Sequence, residues 1–275
     1  MSNLAVILAR SDSKRIPNKN MRKFNGKPVI QYSIEAAQES GLFEHIIVST
    51  DSQAIGSFAA RLGAIHYQRD EVNATADAPM VDALIEAIEH RGWDGGSIYD
   101  NVCMIYACAP FIKIGTIKRA FDLLPEYDVV FPIFKDGNHA ERSMILTNGA
   151  IKSRHPEFDQ VNSNAWPDTY QSAGQFYVAN VDALIKNTTL MPDSKGGVII
   201  PETECIDIDT MDDWLRAELI YNAMHNAQEI EWTRAHRKLI KVCETMEKTD
   251  GDATLKFRDG KLVSITAKTQ TEVDV

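Results

Sequence analysis

Five apolar runs, "LAVILA" (4–9), "HIIVST" (45–50), "AIHY" (64–67), "VCMIYA" (102–107) and "DVVFPIF" (128–134), punctuate the first half of the chain. Between them lie segments of helical period. "PVIQYSIEAAQES" places Ile30, Ile34 and Ala37 on one stripe. "DSQAIGSFAARLG" opens at Asp51 or Ser52 and closes at Gly63. "PMVDALIEAIEHRG" has Pro79 near its start and Gly92 past its end, and "IGTIKRAFDLL" follows the fourth run. Strands that are apolar throughout, rather than on alternate positions, are buried on both faces. Alternation with amphipathic helices therefore predicts an α/β fold: a mostly parallel sheet with helices on both faces.

The pattern changes after about residue 135. "MILTNGAIKS" predicts a hairpin turning at Asn148-Gly149. "HPEFDQVNSNAWPDTYQS" is polar and irregular, a loop or a subunit contact. "GQFYVA", "GVIIP" and "CIDID" read as strands and "VDALIKN" as a short helix. "TMDDWLRAELIYNAM" reads as a helix with Thr210 as N-cap, Asp213 three residues on, and an apolar stripe of Met211, Trp214, Leu215 and Leu219. Residues 229–275 form a separate extension, a helical piece and a hairpin turning at Asp259-Gly260. Nine basic and nine acidic residues balance there, so residues 1–228, the main domain, carry the whole net charge of -10.

That acidic balance argues against a nucleic-acid partner. The longest nearly unbroken apolar stretch, "VCMIYACAPFI", is too short to span a bilayer. The N-terminus lacks the basic region of a secretory signal, so a cytoplasmic protein with no membrane partner is expected. Cys103, Cys108, Cys205 and Cys243 show no CxxC spacing and read as reduced core thiols.

Against this acidic background, seven basic residues crowd positions 10–27 with one acid, Asp12, among them. In open α/β sheets ligands bind beyond the carboxyl ends of the strands, which is where a loop after the first strand lies. Arg and Lys side chains there suit a polyphosphate. Neither GxGxxG nor GxxxxGK[ST] is present, so neither a dinucleotide fingerprint nor a P-loop is expected. A second constellation is "IDIDT". If it is extended, Asp207 and Asp209 share a face with Cα atoms roughly 6.5–7 Å apart, a seat for Mg²⁺, which takes a few carboxylates plus phosphate oxygens and water. Solvated carboxylates, or Asp209 opening the next helix, remain the alternatives at this point. Cations for phosphate and carboxylates for a metal together suit metal-assisted nucleotidyl transfer.

"ILARSDSKRIPNKN" resembles the signature of the sugar-acid cytidylyltransferases, roughly A-R-G-G-S-K-R-I-P-x-K-N. "GKPVIQYSIEAA", "IIVSTDS", "IYACAPF", "AGQFYVAN" and "DIDTMDDW" continue the likeness in order over about residues 4–226. "YACAPF" with "AGQFY" most resembles the pseudaminic acid cytidylyltransferase branch. The resemblance implies a Rossmann-like nucleotide-diphospho-sugar transferase fold, CTP and a nonulosonic sugar acid as substrates, Mg²⁺, and a homodimer. It implies phosphate binding by Arg10 and Lys19 with Asn20 and Lys14 in the same loop, and Arg69 near the nucleotide. It implies metal binding by Asp207 and Asp209, with Arg10, Lys19 and Asp209 catalytic, and a sugar pocket of Tyr106, Gln175, Phe176 and Tyr177. Two departures stand out. Ser11-Asp12 replaces the usual Gly-Gly, and Asn162 stands where close relatives carry arginine. A relative using another sugar acid or nucleotide, or a non-catalytic nucleotide-binding homologue, is the alternative.

Overall fold

The computed structural model describes residues 2–75, 77–89, 99–137, 141, 143–162, 168–229, 251–258 and 261–269. The chain divides into two compact units, 1–220 and 221–275.

In the first unit β1 (Asn3–Leu8) leads through the basic loop, with its two-residue strands β2 (Lys23–Phe24) and β3 (Lys27–Pro28), into α1 (Val29–Ser40). There follow β4 (His45–Thr50), α2 (Gln53–Arg61), β5 (Ile65–Gln68), α3 (Met80–Glu89), β6 (Asn101–Tyr106), α4 (Ile114–Leu123) and β7 (Val129–Asp136). Next come the hairpin β8 (Met144–Thr147) and β9 (Ala150–Ser153), then β10 (Thr169–Ser172), β11 (Phe176–Asn180), α5 (Val181–Asn187), β12 (Lys195–Ile199) and α6 (Met211–Glu229). The second unit takes in the end of α6 and the antiparallel hairpin β13 (Gly251–Arg258) and β14 (Lys261–Thr269). The helical piece read before that hairpin, its turn at Asp259-Gly260, and Gly92 lie outside the described residues.

The main sheet has eight strands in the order β10-β7-β11-β6-β1-β4-β5, with β12 also paired to β7. β1 runs parallel to β4 and β6, β4 to β5, and β7 to β12. β11 is antiparallel to β6 and β7, and β10 to β7. The parallel strands β5, β4, β1 and β6 therefore end together, at Gln68, Thr50, Leu8 and Tyr106.

Both faces are covered. Ala5 and Ile7 of β1 pack with Ile30 and Ile34 of α1, Ile55 of α2 and Ile117 of α4. Leu4 and Val6 point the other way and pack with Leu84 of α3 and Leu184 of α5. Alternate residues of one strand thus serve two cores, which is why the run has no polar position. Ser52 caps α2, its Oγ accepting from the Ile55 N–H at 3.4 Å, and Gly63 closes the turn beyond it at φ +86°. Asn148 and Gly149 hold φ of 50° and 82°, the left-handed pair that a two-residue hairpin turn needs.

Two local expectations are corrected. Residues 205–209 form no strand: β12 already lies along β7, and the chain leaves the sheet after Ile199. On α6, Trp214 and Ala217 are buried, whereas Leu215 and Leu219 are 55% and 72% exposed. The helix is rotated to seat Trp214, whose ring meets Phe24 edge-on at 5.6 Å and lies under Arg22. One large aromatic in a core slot outweighs two exposed leucines.

Candidate active site

The loop after β1 is fixed by its own side chains. The Ala9 N–H continues the sheet by donating to Ser49 O at 3.0 Å. Ser11 then donates to Asp51 twice, from its N–H at 2.7 Å and from its hydroxyl. Ile16 is buried and pins the middle of the loop. Asn18, at φ 54°, turns the chain into a short 3-10 turn over Lys19–Met21. Asn20 Nδ2 then reaches back to Arg10 O at 3.0 Å. Burial alone would raise the Asp51 pKa. The Ser11 hydroxyl and N–H, helped by the charge of Arg69, outweigh it and hold the carboxyl below its ordinary range.

Beyond the strand ends lies a cleft of about 640 Å³. Arg10, Lys14, Lys19, Asn20 and Arg69 all line it, as do Tyr106, Asp207 and Asp209, so residues spread over 200 positions of sequence meet in one place. Arg69 is buried, with Nε on Ser49 Oγ at 3.0 Å and Nη2 on Ser49 O at 2.6 Å. Burial pulls its pKa down, and Asp51 and Glu86 oppose that. Arg10 donates to Thr75 O at 3.3 Å.

The basic loop and the carboxylates meet directly. Lys19 Nζ donates to Ile208 O at 2.5 Å and stands 3.6 Å from Asp209 Oδ1. Arg15 pairs with the same oxygen at 2.7 Å. Ile208 is buried between the two acids, so Asp207 and Asp209 both reach the cleft although they do not belong to a strand. Desolvation, then the charge of Asp209, push the Asp207 carboxyl above its ordinary value, against the pull of Lys19 and Arg15. Cys108, also on the cleft wall, is pushed up to about 12 by burial.

The two carboxylates fit a hard divalent cation. They are oxygen donors close enough to oppose each other's ionisation, and a divalent cation held by them would relieve that repulsion. Among the described residues no three His, Cys, Asp or Glu side chains form a ready-made metal cage. The remaining ligands would come from phosphate and water, the usual manner of Mg²⁺.

The residues expected on the sugar side divide. Tyr106 is on the cleft, its hydroxyl pKa raised by burial and by neighbouring Tyr177. Gln175, Phe176 and Tyr177 are buried and do not line it: Phe176 lies in the core shared with α1 and α4, and Tyr177 packs on Phe131 at 4.9 Å. Gly174, at φ +62°, is the part of "AGQFY" that reaches the cleft. Arg15, Asp51 and the pair Lys113–Glu204 were not named as site residues from the sequence. Arg15 sits in the same basic run and carried that signal. Asp51 and the pair Lys113–Glu204 did not, because their partners are 40 and 91 positions away.

Comparison with known proteins adds four findings. A family model described as cytidylyltransferase matches residues 4–187. A pseudaminic acid cytidylyltransferase of Campylobacter jejuni (strain 81-176) is 31% identical over 231 residues, 82% of this chain and 99% of that one. A CMP-N,N'-diacetyllegionaminic acid synthase of Legionella pneumophila is 31% identical over 221 residues, 78% of this chain and 94% of that one. Among solved structures, a CMP:2-keto-3-deoxy-manno-octonic acid synthetase complexed with CTP superposes with TM-score 0.62 at 18% identity, covering 84% of this chain and 100% of that one.

Proposed function

The chain belongs to the cytidylyltransferase family, and we propose that it transfers CMP from CTP to the anomeric hydroxyl of a nonulosonic, pseudaminic-type sugar acid, releasing pyrophosphate. The observation that carries this reading is the meeting of Lys19 with Ile208 O and Asp209 in a cleft beyond the strand ends. Cations of the loop expected to bind phosphate there touch one of the carboxylates expected to bind a metal.

In this reading Arg10 and Lys19 hold the phosphates, with Lys14 and Asn20 beside them, and neutralise charge gathering on the departing pyrophosphate. The anomeric hydroxyl attacks the α-phosphorus while Tyr106 bounds the space for the sugar. Arg69, fixed by Ser49, would lie near the nucleotide. Asp207 and Asp209 would hold Mg²⁺, which when bound supplies neutralising charge to phosphate oxygens. Positioning and preorganised charge carry most of such a transfer. The Ser11–Asp51 bonds supply the preorganisation, fixing a loop in which serine has replaced glycine.

A homodimer belongs to the same reading, supported by Met144, Ile145, Leu146 and Ile151, all exposed on the β8–β9 hairpin. So does a cytoplasmic location, supported by the free thiols of Cys103, Cys108 and Cys205.

A pyrophosphate-release assay with CTP, UTP, ATP and GTP across a panel of sugar acids tests the activity. CTP with a pseudaminic-type acid is expected to give the highest kcat/KM, and turnover is expected to vanish with chelator. Failure of every sugar acid with CTP would overturn the reading.

A further inference from the structure

The segment that carries Asp207 and Asp209 belongs to no strand, so no ladder of backbone bonds sets its position. Side chains hold it instead. At one end Asp213 Oδ2 accepts from the N–H groups of Asp209 and Thr210, at 3.2 and 2.8 Å. In the middle Lys19 holds Ile208 O. At the other end the anchor is Glu204, a residue only 6% exposed. Its carboxylate pairs with Lys113 Nζ at 2.5 Å, and its carbonyl accepts from Gln175 Nε2 at 2.6 Å.

Gln175 is 4% exposed, and its own carbonyl accepts from the N–H of Tyr106 at 2.9 Å. One residue therefore joins the cleft end of β6 to the start of the carboxylate segment. The amide has one workable orientation: turned over, its oxygen would face the Glu204 carbonyl, acceptor against acceptor. Its Oε1 is buried with no hydrogen-bond partner among the described residues, so the bond to Glu204 alone orients the group. A side chain so committed is not free to grip a substrate in the cleft.

We propose that Gln175 is a positioning residue: its bond to Glu204, with the Lys113–Glu204 pair, braces segment 205–209 and sets where Asp207 and Asp209 stand relative to Lys19. The activity arm of the test rests on the cytidylyl-transfer reading, and the metal-binding arm does not require turnover. Gln175→Leu keeps the volume and removes the donor. Loss of a ligand's own outer partner typically lowers metal affinity or activity by about 10- to 100-fold; Gln175 acts one link further out, and a loss of about tenfold is expected in kcat and in Mn²⁺ affinity, read by an EPR titration with CTP present. KM for the sugar acid is expected to stay within about twofold, since no ground-state contact is removed. Lys113→Met, at a half-exposed side chain, probes the other half of the brace and is expected to weaken Mn²⁺ binding in the same direction even if Gln175→Leu fails to fold. A rise in KM for the sugar acid with kcat and Mn²⁺ affinity unchanged would overturn the proposal in favour of a direct sugar contact. Wild-type Mn²⁺ affinity in the folded variants, or no Mn²⁺ binding by the wild type, would also overturn it. A wild type that binds Mn²⁺ in a brace-dependent way yet turns over no sugar acid would support the brace and count only against the functional reading.

Discussion

Lys19 touches both halves of the cleft, holding the Ile208 carbonyl and standing beside Asp209 at the end of the basic loop. Lys19→Ala is expected to fold and to lose about 10²-fold or more in turnover, the range for one preorganised electrostatic group. Near-normal turnover would take the loop out of the mechanism. Asp51 tests the loop's scaffold. Its folded pKa lies below the 3.8 of an unperturbed carboxyl because Ser11 donates to it twice. Ionised Asp51 therefore stabilises the fold above pH 3.8, and that contribution is lost as pH falls through the lower folded value. Asp51→Asn should be less stable than wild type at neutral pH, and in denaturant titrations the gap should close only in strong acid. A gap that stays constant through that range would mean the Ser11 bonds do not favour the charged form. Asp207 has the opposite sign. Its raised pKa means that the ionised form is less comfortable in the folded chain than in the unfolded one, above the unfolded pKa. Asp207→Asn should melt at a higher temperature than wild type at pH 7 while losing turnover, a stability-for-function exchange that thermal melts and the pyrophosphate assay read together.

At the scale of elements, α2 shows why propensity does not decide packing. Gly56 lies inside this helix, where alanine is intrinsically better by about 1 kcal/mol. A Cβ at that position would stand 2.4 Å from three ring atoms of His66 on β5. Gly56→Ala should therefore lower the melting temperature, because the helix must move off the sheet edge or the half-buried ring must turn. An unchanged or higher melting temperature would show that the ring gives way freely. The same competition explains α6. Its Thr210–Asp213 cap was legible, and the reciprocal bonds are present at 2.8 and 3.2 Å. Its buried stripe was legible at Trp214 but not beyond it, because Leu215 and Leu219 match helical spacing as well as Ala217 does. The slot beside Phe24, nearly two hundred residues earlier, chose between them.

For the whole molecule, the family model stops at residue 187, within the first unit, and the likeness to a known cytidylyltransferase covers 82% of the chain. A chain ending at Gln228 is expected to retain CMP-sugar synthesis, with any loss appearing in stability or oligomeric state. Folded truncated protein that is inactive at unchanged oligomeric state would place 229–275 in the active site. By itself the sequence determined the alternating α/β order, the two-faced burial of the parallel strands, the Asn148-Gly149 turn, and the crowding of basic residues in the loop after β1. These follow from local periodicity, turn stereochemistry and charge density, which neighbouring residues fully express. Tertiary structure alone decided that Asp207 and Asp209 hang from side chains instead of a strand, that Phe176 belongs to the core, and that Gln175 faces Glu204. Each of those outcomes depends on a partner far away in sequence: a sheet edge already occupied by β12, a core already shaped by α1 and α4, and a carbonyl 29 residues further along the chain.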